Sequence, residues 1–111
     1  MFSLFGNRKT SAEVAPKDAA PRIDSWRVID VREPAELTSE LKPIVNAENV
    51  PLATVTSQAQ SWDRDAPLLV VCRSGGRSKR AADALVGMGF TDVTNLTGGM
   101  LAWAAAGLPT R

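Results

Sequence analysis

Cys72 is the residue with the most chemistry to offer. It is the only cysteine among 111 residues, and the chain has no histidine and no tyrosine. It follows the apolar run Pro67-Leu68-Leu69-Val70-Val71 and opens the loop Cys72-Arg73-Ser74-Gly75-Gly76-Arg77-Ser78. Without histidine, no Cys-His or Ser-His nucleophile–base pair can form within the chain. With one cysteine, neither an intrachain disulfide nor a multi-cysteine zinc site can be built. The loop offers another way to activate a thiol. Gly75 and Gly76 permit positive φ and carry no side chains, so the amides of residues 73–78 can curl around one point. A helix beginning near Ser78 adds partial positive charge, and Arg73 and Arg77 add full charges. Each of these favours thiolate over thiol. A free thiol with a pKa of about 8.5 is largely protonated at neutral pH, and a downward shift of about two units makes it mostly thiolate. Cys72 could instead be only a small buried side chain. The glycine pair, the two arginines and the strand-to-helix position favour a reactive role.

The elements that must position this loop read as alternating strands and helices. Trp26–Val31 is a β-branched apolar run and predicts a strand. Glu33–Leu37 predicts a helix start, with Pro34 early and acids in the first turn, and Pro43 limits it. Asn49–Leu52 predicts a very short strand, and Thr54–Gln60 a helix. Pro67–Val71 is apolar throughout, as a strand buried on both faces should be. Ser78–Met88 carries Ala81, Leu85 and Met88 at helical spacing and ends at Gly87 and Gly89. Thr91–Leu96 predicts a strand. Met100–Ala106 predicts a last helix after Gly98-Gly99, closed by Gly107 and Pro109. This alternation implies an α/β fold with a central parallel sheet flanked by helices on both faces. Ligands of such sheets bind beyond the carboxyl ends of the strands, which is where Cys72 falls.

Thirteen Lys+Arg against twelve Asp+Glu leave a net charge of +1, which gives no reason to expect nucleic acid or an anionic membrane surface as a partner. The distribution is uneven: residues 72–111 hold five cations and two anions, and Arg73, Arg77, Lys79 and Arg80 fall within eight residues of Cys72. Lys79 and Asp83, one helical turn apart, suit an ion pair on a solvated face. No apolar stretch approaches the ~20 residues of a membrane span. The basic pair Arg8-Lys9 follows the short apolar start instead of preceding it, unlike a secretory signal. A cytoplasmic location is the default, and a lone thiol suits a reducing compartment. Residues 1–22 are rich in Ala, Pro, Ser, Thr and charge, with Pro16 and Pro21 as breakers, and predict a flexible leader. Phe2, Leu4 and Phe5 within it could dock on a partner. Residues 23–111 then form one domain.

Three separated pieces resemble the rhodanese-like (single-domain sulfurtransferase) family. They are Val28-Ile29-Asp30-Val31-Arg32-Glu33-Pro34-Ala35-Glu36-Leu37, the loop Val70–Ser78, and Asn95-Leu96-Thr97-Gly98-Gly99-Met100-Leu101-Ala102-Trp103 running on to Ala106-Gly107-Leu108-Pro109. Two features depart from the family. The Gly-His-Ile segment that usually precedes the Asn-Ile-Pro strand is replaced by a longer, histidine-free stretch, Glu40–Ala47. The four residues Ile23–Trp26 also leave no room for the usual first helix between an opening strand and the Val28–Val31 strand.

The resemblance implies a sulfurtransferase that needs no cofactor and no metal. Cys72 would take a sulfane sulfur from a small anionic donor such as thiosulfate or a persulfide. It would hold that sulfur as a persulfide and pass it to a thiol or a protein cysteine. Arg73, Ser74, Gly75, Gly76, Arg77 and Ser78 would bind the substrate. Arg73 and Arg77 would attract the anion, and Ser74 and Ser78 would donate hydrogen bonds, with helix capping an equal reading for Ser78. Asp30 and Arg32 suit a supporting ion pair, and Trp103 a core aromatic. Cysteine phosphatases of this fold place five residues between cysteine and arginine. Here four separate Cys72 from Arg77, a smaller cradle that suits a sulfur better than a phosphate. The alternatives are a non-catalytic binding or regulatory module on the same fold, and a sulfur carrier that turns over thiosulfate poorly.

Overall fold

The computed structural model describes residues 10–111. Five strands, β1 (Ala12–Val14), β2 (Arg27–Asp30), β3 (Glu48–Asn49), β4 (Leu68–Val71) and β5 (Val93–Leu96), form one sheet in the order β1-β5-β4-β2-β3. Every pairing is parallel. Parallel strands need crossovers. Helix α1 (Pro16–Ala19) and the 3-10 segment Ala20–Ser25 join β1 to β2. The 3-10 segment Pro34–Thr38 and an irregular stretch join β2 to β3, and a short helix α2 (Val55–Gln58) flanked by 3-10 turns leads to β4. Helix α3 (Gly76–Gly87) joins β4 to β5, and α4 (Gly99–Ala105) follows β5.

Strand β4 lies at the centre and is buried at all four positions. Its side chains alternate between the two faces, as the period of a strand requires. Leu68 and Val70 pack with Ile29, Val55, Ala81 and Leu85 under α2 and α3. Leu69 and Val71 pack with Val28, Leu96, Met100 and Trp103 under α4. Two cores, one on each face, explain why the run carries no polar position. Trp103 is buried, with its Nε1 donating to the Pro109 carbonyl at 3.0 Å. Among the described residues no helix is long and apolar enough to cross a membrane.

The largest departure from the sequence expectation is upstream of residue 23. Residues 12–22, expected to be part of a flexible leader, supply the edge strand and the first crossover that Ile23–Trp26 could not hold. Ala12, Glu13 and Val14 pair with Thr94, Asn95 and Leu96 of β5. Three residues give too short an alternation to read, so the strand exists because β5 offers a partner. Pro16 acts as a starter, at the first helical position where the lost N–H has no partner to lose. Ala19 of the same helix is buried in the core. Phe2, Leu4 and Phe5 lie outside the described residues.

Other differences are smaller. The expected helix at Glu33–Leu37 is a 3-10 segment, with Glu36 Oε1 accepting from the Glu33 N–H at 2.9 Å. The strand expected over 49–52 shortens to Glu48–Asn49, because Pro51 has no N–H to pair and Leu52 begins the next turn. The Glu40–Ala47 stretch is part of the core, burying Leu41, Ile44 and Ala47.

An ion pair closes the carboxyl end of β2. Arg32 is 0% and Asp30 1% exposed, and Arg32 Nη2 sits 2.8 Å from Asp30 Oδ2. Nε contacts both carboxylate oxygens, and Nη1 donates to the Leu41 carbonyl at 2.7 Å. The pair therefore holds the Glu40–Ala47 stretch against the sheet. Leaving one member of a buried pair without its partner costs about 3–5 kcal/mol. Asp30→Ala is expected to lower unfolding stability by about that amount, read from the midpoint of a urea denaturation curve.

Candidate active site

Cys72 is the first residue beyond β4 and is 1% exposed. Its sulfur lies inside a ring of donors. The Gly75 N–H points at Sγ from 3.1 Å and the Ser78 hydroxyl from 3.3 Å. Burial pushes the thiol pKa up. The Ser78 hydroxyl and the backbone N–H groups of Ser78, Gly75 and Ser74 pull it down, and the balance lies below the ordinary thiol value. The donors win because a hydrogen bond to an anion is roughly twice as strong as one between neutral groups.

The backbone makes this ring possible at Gly75. Its φ is +101°, and a Cβ there would approach the Gly98 nitrogen to 3.1 Å. Gly75 caps α3, which begins at Gly76, two residues earlier than the sequence pattern indicates. Ser78 therefore sits in the first turn and does not cap the helix. Its hydroxyl faces inward to Cys72 and to Asn95 Oδ1, and the residue is 0% exposed. Arg73, Ser74 and Gly76 lie on the exposed side of the loop.

The second wall of the site is the start of α4. The Met100 N–H donates to the Cys72 carbonyl at 2.9 Å and the Leu101 N–H to the Arg73 carbonyl at 3.0 Å. This clasp turns the Cys72 and Arg73 carbonyls away from the sulfur and leaves the loop N–H groups to face it. It requires a very close approach: a Cβ on Gly99 would lie 2.5 Å from the Cys72 oxygen, and Gly99 has φ +60°.

Arg77 has a partner that its spacing from Cys72 does not reveal. Its guanidinium forms a two-pronged pair with Glu36, at 2.7 and 2.9 Å. Arg77 lowers the Glu36 carboxyl to about 2, and Glu36 raises the guanidinium in turn. The Arg77 charge is thus met by a carboxylate at the rim, whereas Arg73 is exposed. Asp30 and Arg32 stand at the end of the neighbouring strand as the buried pair described above, and none of their hydrogen bonds goes to Cys72. Lys79 and Asp83 pair at 3.1 Å, and Asp83 also accepts from the Ser11 N–H at 2.8 Å, tying the entry of β1 to α3.

Glu13, Glu36 and Asn95 were not legible as site residues. Glu13 lies in the stretch expected to be flexible, yet it reaches across the sheet edge to Asn95 Nδ2 at 3.1 Å. Asn95 is polar at a buried strand position, 3% exposed. An asparagine between Val93 and Leu96 was the available signal, since buried polar side chains are held by specific partners.

Removing the Ser78 hydroxyl deletes one of the donors that offset burial. Ser78→Ala is expected to slow alkylation of Cys72 by iodoacetamide at pH 7 by about tenfold, the equivalent of one unit of thiol pKa. The pseudo-first-order rate, followed by intact mass, checks this.

Residues 15–106 match the family described as the rhodanese-like domain. A sulfurtransferase from Allochromatium vinosum is 35% identical over 82 residues, covering 74% of this chain and 75% of that protein. The thiosulfate sulfurtransferase GlpE of Pseudomonas fluorescens is 38% identical over 76 residues, covering 68% of each. A rhodanese-related protein from Thermoplasma volcanium matches the fold with a TM-score of 0.81 at 30% identity, over 88% of this chain and 95% of that one. The polysulfide-sulfur transferase homodimer from Wolinella succinogenes matches with a TM-score of 0.76 at 30% identity, over 91% of this chain and 78% of that one. With its lone thiol at the end of a doubly covered parallel strand, the chain belongs to the rhodanese-like domain family of sulfurtransferases.

Proposed function

We propose that the protein transfers sulfane sulfur through a persulfide on Cys72. The observation that carries this reading is the ring of Gly75, Ser74 and Ser78 donors around a single buried sulfur. In the first half-reaction the Cys72 thiolate attacks the outer sulfur of thiosulfate. A sulfur–sulfur bond forms to Cys72, the bond to the sulfonate sulfur breaks, and sulfite leaves with the electron pair. In the second, an acceptor thiolate attacks the outer sulfur of the Cys72 persulfide, and the Cys72 thiolate leaves. No oxidant is needed. Splitting the transfer into two steps predicts ping-pong kinetics. The same N–H groups serve twice, because the persulfide anion carries its charge one atom further into the ring, where preorganised donors stabilise it.

Two features bear on the donor. The sulfur is almost fully enclosed, which suits a donor whose terminal sulfur sits on a narrow stem. The Glu36 carboxylate at the rim offsets Arg77, which disfavours a free dianion relative to a persulfide carrying less charge. A sulfur carrier loaded by a thiol persulfide is the second reading, and this ion pair is what favours it. Thiol or protein-cysteine acceptors fit either reading, and a cytoplasmic setting would supply them.

Incubation with thiosulfate or with glutathione persulfide should add one sulfur atom to the intact mass of the protein and none to Cys72→Ser. Cyanide should remove it. An unchanged mass with both donors overturns the proposal, and an adduct that forms only from the persulfide supports the carrier. Glu36→Gln keeps the oxygen that accepts the Glu33 N–H but removes the charge facing Arg77. It is expected to lower KM for thiosulfate several-fold with little change for an uncharged-headgroup persulfide, measured by steady-state sulfite release.

A further inference from the structure

We propose that Asn95 is a positioning residue that competes with Cys72 for the proton of Ser78 and so sets how readily the sulfur ionises. The inference rests on Cys72 being the reacting thiol but requires no sulfur donor. The Ser78 hydroxyl has one proton and two acceptors within reach, Cys72 Sγ at 3.3 Å and Asn95 Oδ1 at 2.5 Å. The orientation of the Asn95 amide is fixed by what faces its other end. Nδ2 meets three acceptors: both Glu13 carboxylate oxygens at 3.1 Å and the Gly75 carbonyl at 3.2 Å. A flipped amide would set its oxygen against all three, so Oδ1 must face Ser78. Glu13 is itself held by the Thr97 hydroxyl at 2.7 Å and lies 3.9 Å from Lys79.

The two protonation states of Cys72 then differ in how the chain is satisfied. With a thiol, the S–H donates to Ser78 Oγ and the Ser78 O–H donates to Asn95 Oδ1, so every buried group has a partner. With a thiolate, the sulfur needs the Ser78 proton, and turning it inward leaves the Asn95 oxygen without a donor. A buried acceptor left unpaired is disfavoured. Asn95 therefore opposes ionisation through Ser78, while the loop N–H groups promote it. The fully formed persulfide anion meets the same competition.

The other charged groups near the sulfur are Arg77 with Glu36, the exposed Arg73, the Asp30–Arg32 pair at the end of β2, and Glu13 with Lys79 behind Asn95. An uncharged replacement at 95 leaves this charge set unchanged. With no histidine in the chain, no imidazole titration overlaps that of the thiol.

The test is the pH dependence of Cys72 alkylation by iodoacetamide in the full chain. Asn95→Leu, which fills similar space without an acceptor, is expected to lower the apparent thiol pKa by about half a unit to one unit, a three- to tenfold gain in thiolate at low pH. Asn95→Ala is expected to move it the same way and serves if leucine distorts the strand; a thermal melt confirms that each variant is folded. In a Ser78→Ala background the Asn95 substitution should have no effect on the pKa, because its route has been removed. A pKa that stays or rises in both folded Asn95 variants overturns the proposal. So does a shift of equal size in the Ser78→Ala background. A clear shift in a protein that never accepts sulfur would leave the Asn95 assignment standing and defeat the transfer reading alone.

Discussion

The surroundings of Cys72 answer one constraint: a sulfur anion removed from water needs hydrogen-bond donors held within reach of it. Burial alone would keep the thiol protonated. The structure offsets burial with backbone N–H groups and one hydroxyl, and none of these can itself lose its proton near neutral pH. This is how the site does without an imidazole. A base that titrates is unnecessary when the ionised nucleophile is stabilised directly.

The fold is arranged to keep those donors in place. Strand β4 is covered on both faces, so the residue after it cannot drift. Gly75 turns the chain so that its own N–H meets the sulfur, and the first amides of α4 hold the Cys72 and Arg73 carbonyls from behind. Gly99 permits that contact, since any side chain there would strike the Cys72 carbonyl. The Asp30–Arg32 pair fixes the neighbouring strand end and the irregular stretch over it. Rigidity here has a chemical purpose: a donor that can relax stabilises an anion less than one already aimed at it.

Much of this could be read from the residues. The all-apolar Leu68–Val71 run, the thiol at its end and the glycine pair place the one thiol at the carboxyl edge of a buried parallel strand. The helix spacing of Ala81, Leu85 and Met88 supplies the element that follows. What could not be read are pairings set by tertiary contact. β1 is three residues long, and only β5 makes it a strand. The Arg77–Glu36 pair does not show in the sequence, because its members are 41 positions apart. Ser78 reads as a helix cap or as a hydrogen-bond donor to the sulfur with equal ease, and only the start of α3 at Gly76 decides between them. Asn95 shows only as one of two polar residues in the strand Val93-Thr94-Asn95-Leu96, and the acceptor it turns toward Ser78 depends on Glu13, from a stretch with no visible pattern.

The most direct test of the central claim is the ultraviolet thiolate absorbance of the unmodified protein as a function of pH, with Cys72→Ser as the blank. One cysteine makes the signal unambiguous, and the lack of tyrosine removes the overlapping phenolate band. The expected midpoint lies below that of a free thiol, about 8.5. A midpoint at or above that value would contradict a sulfur anion held by the Gly75, Ser74 and Ser78 donors.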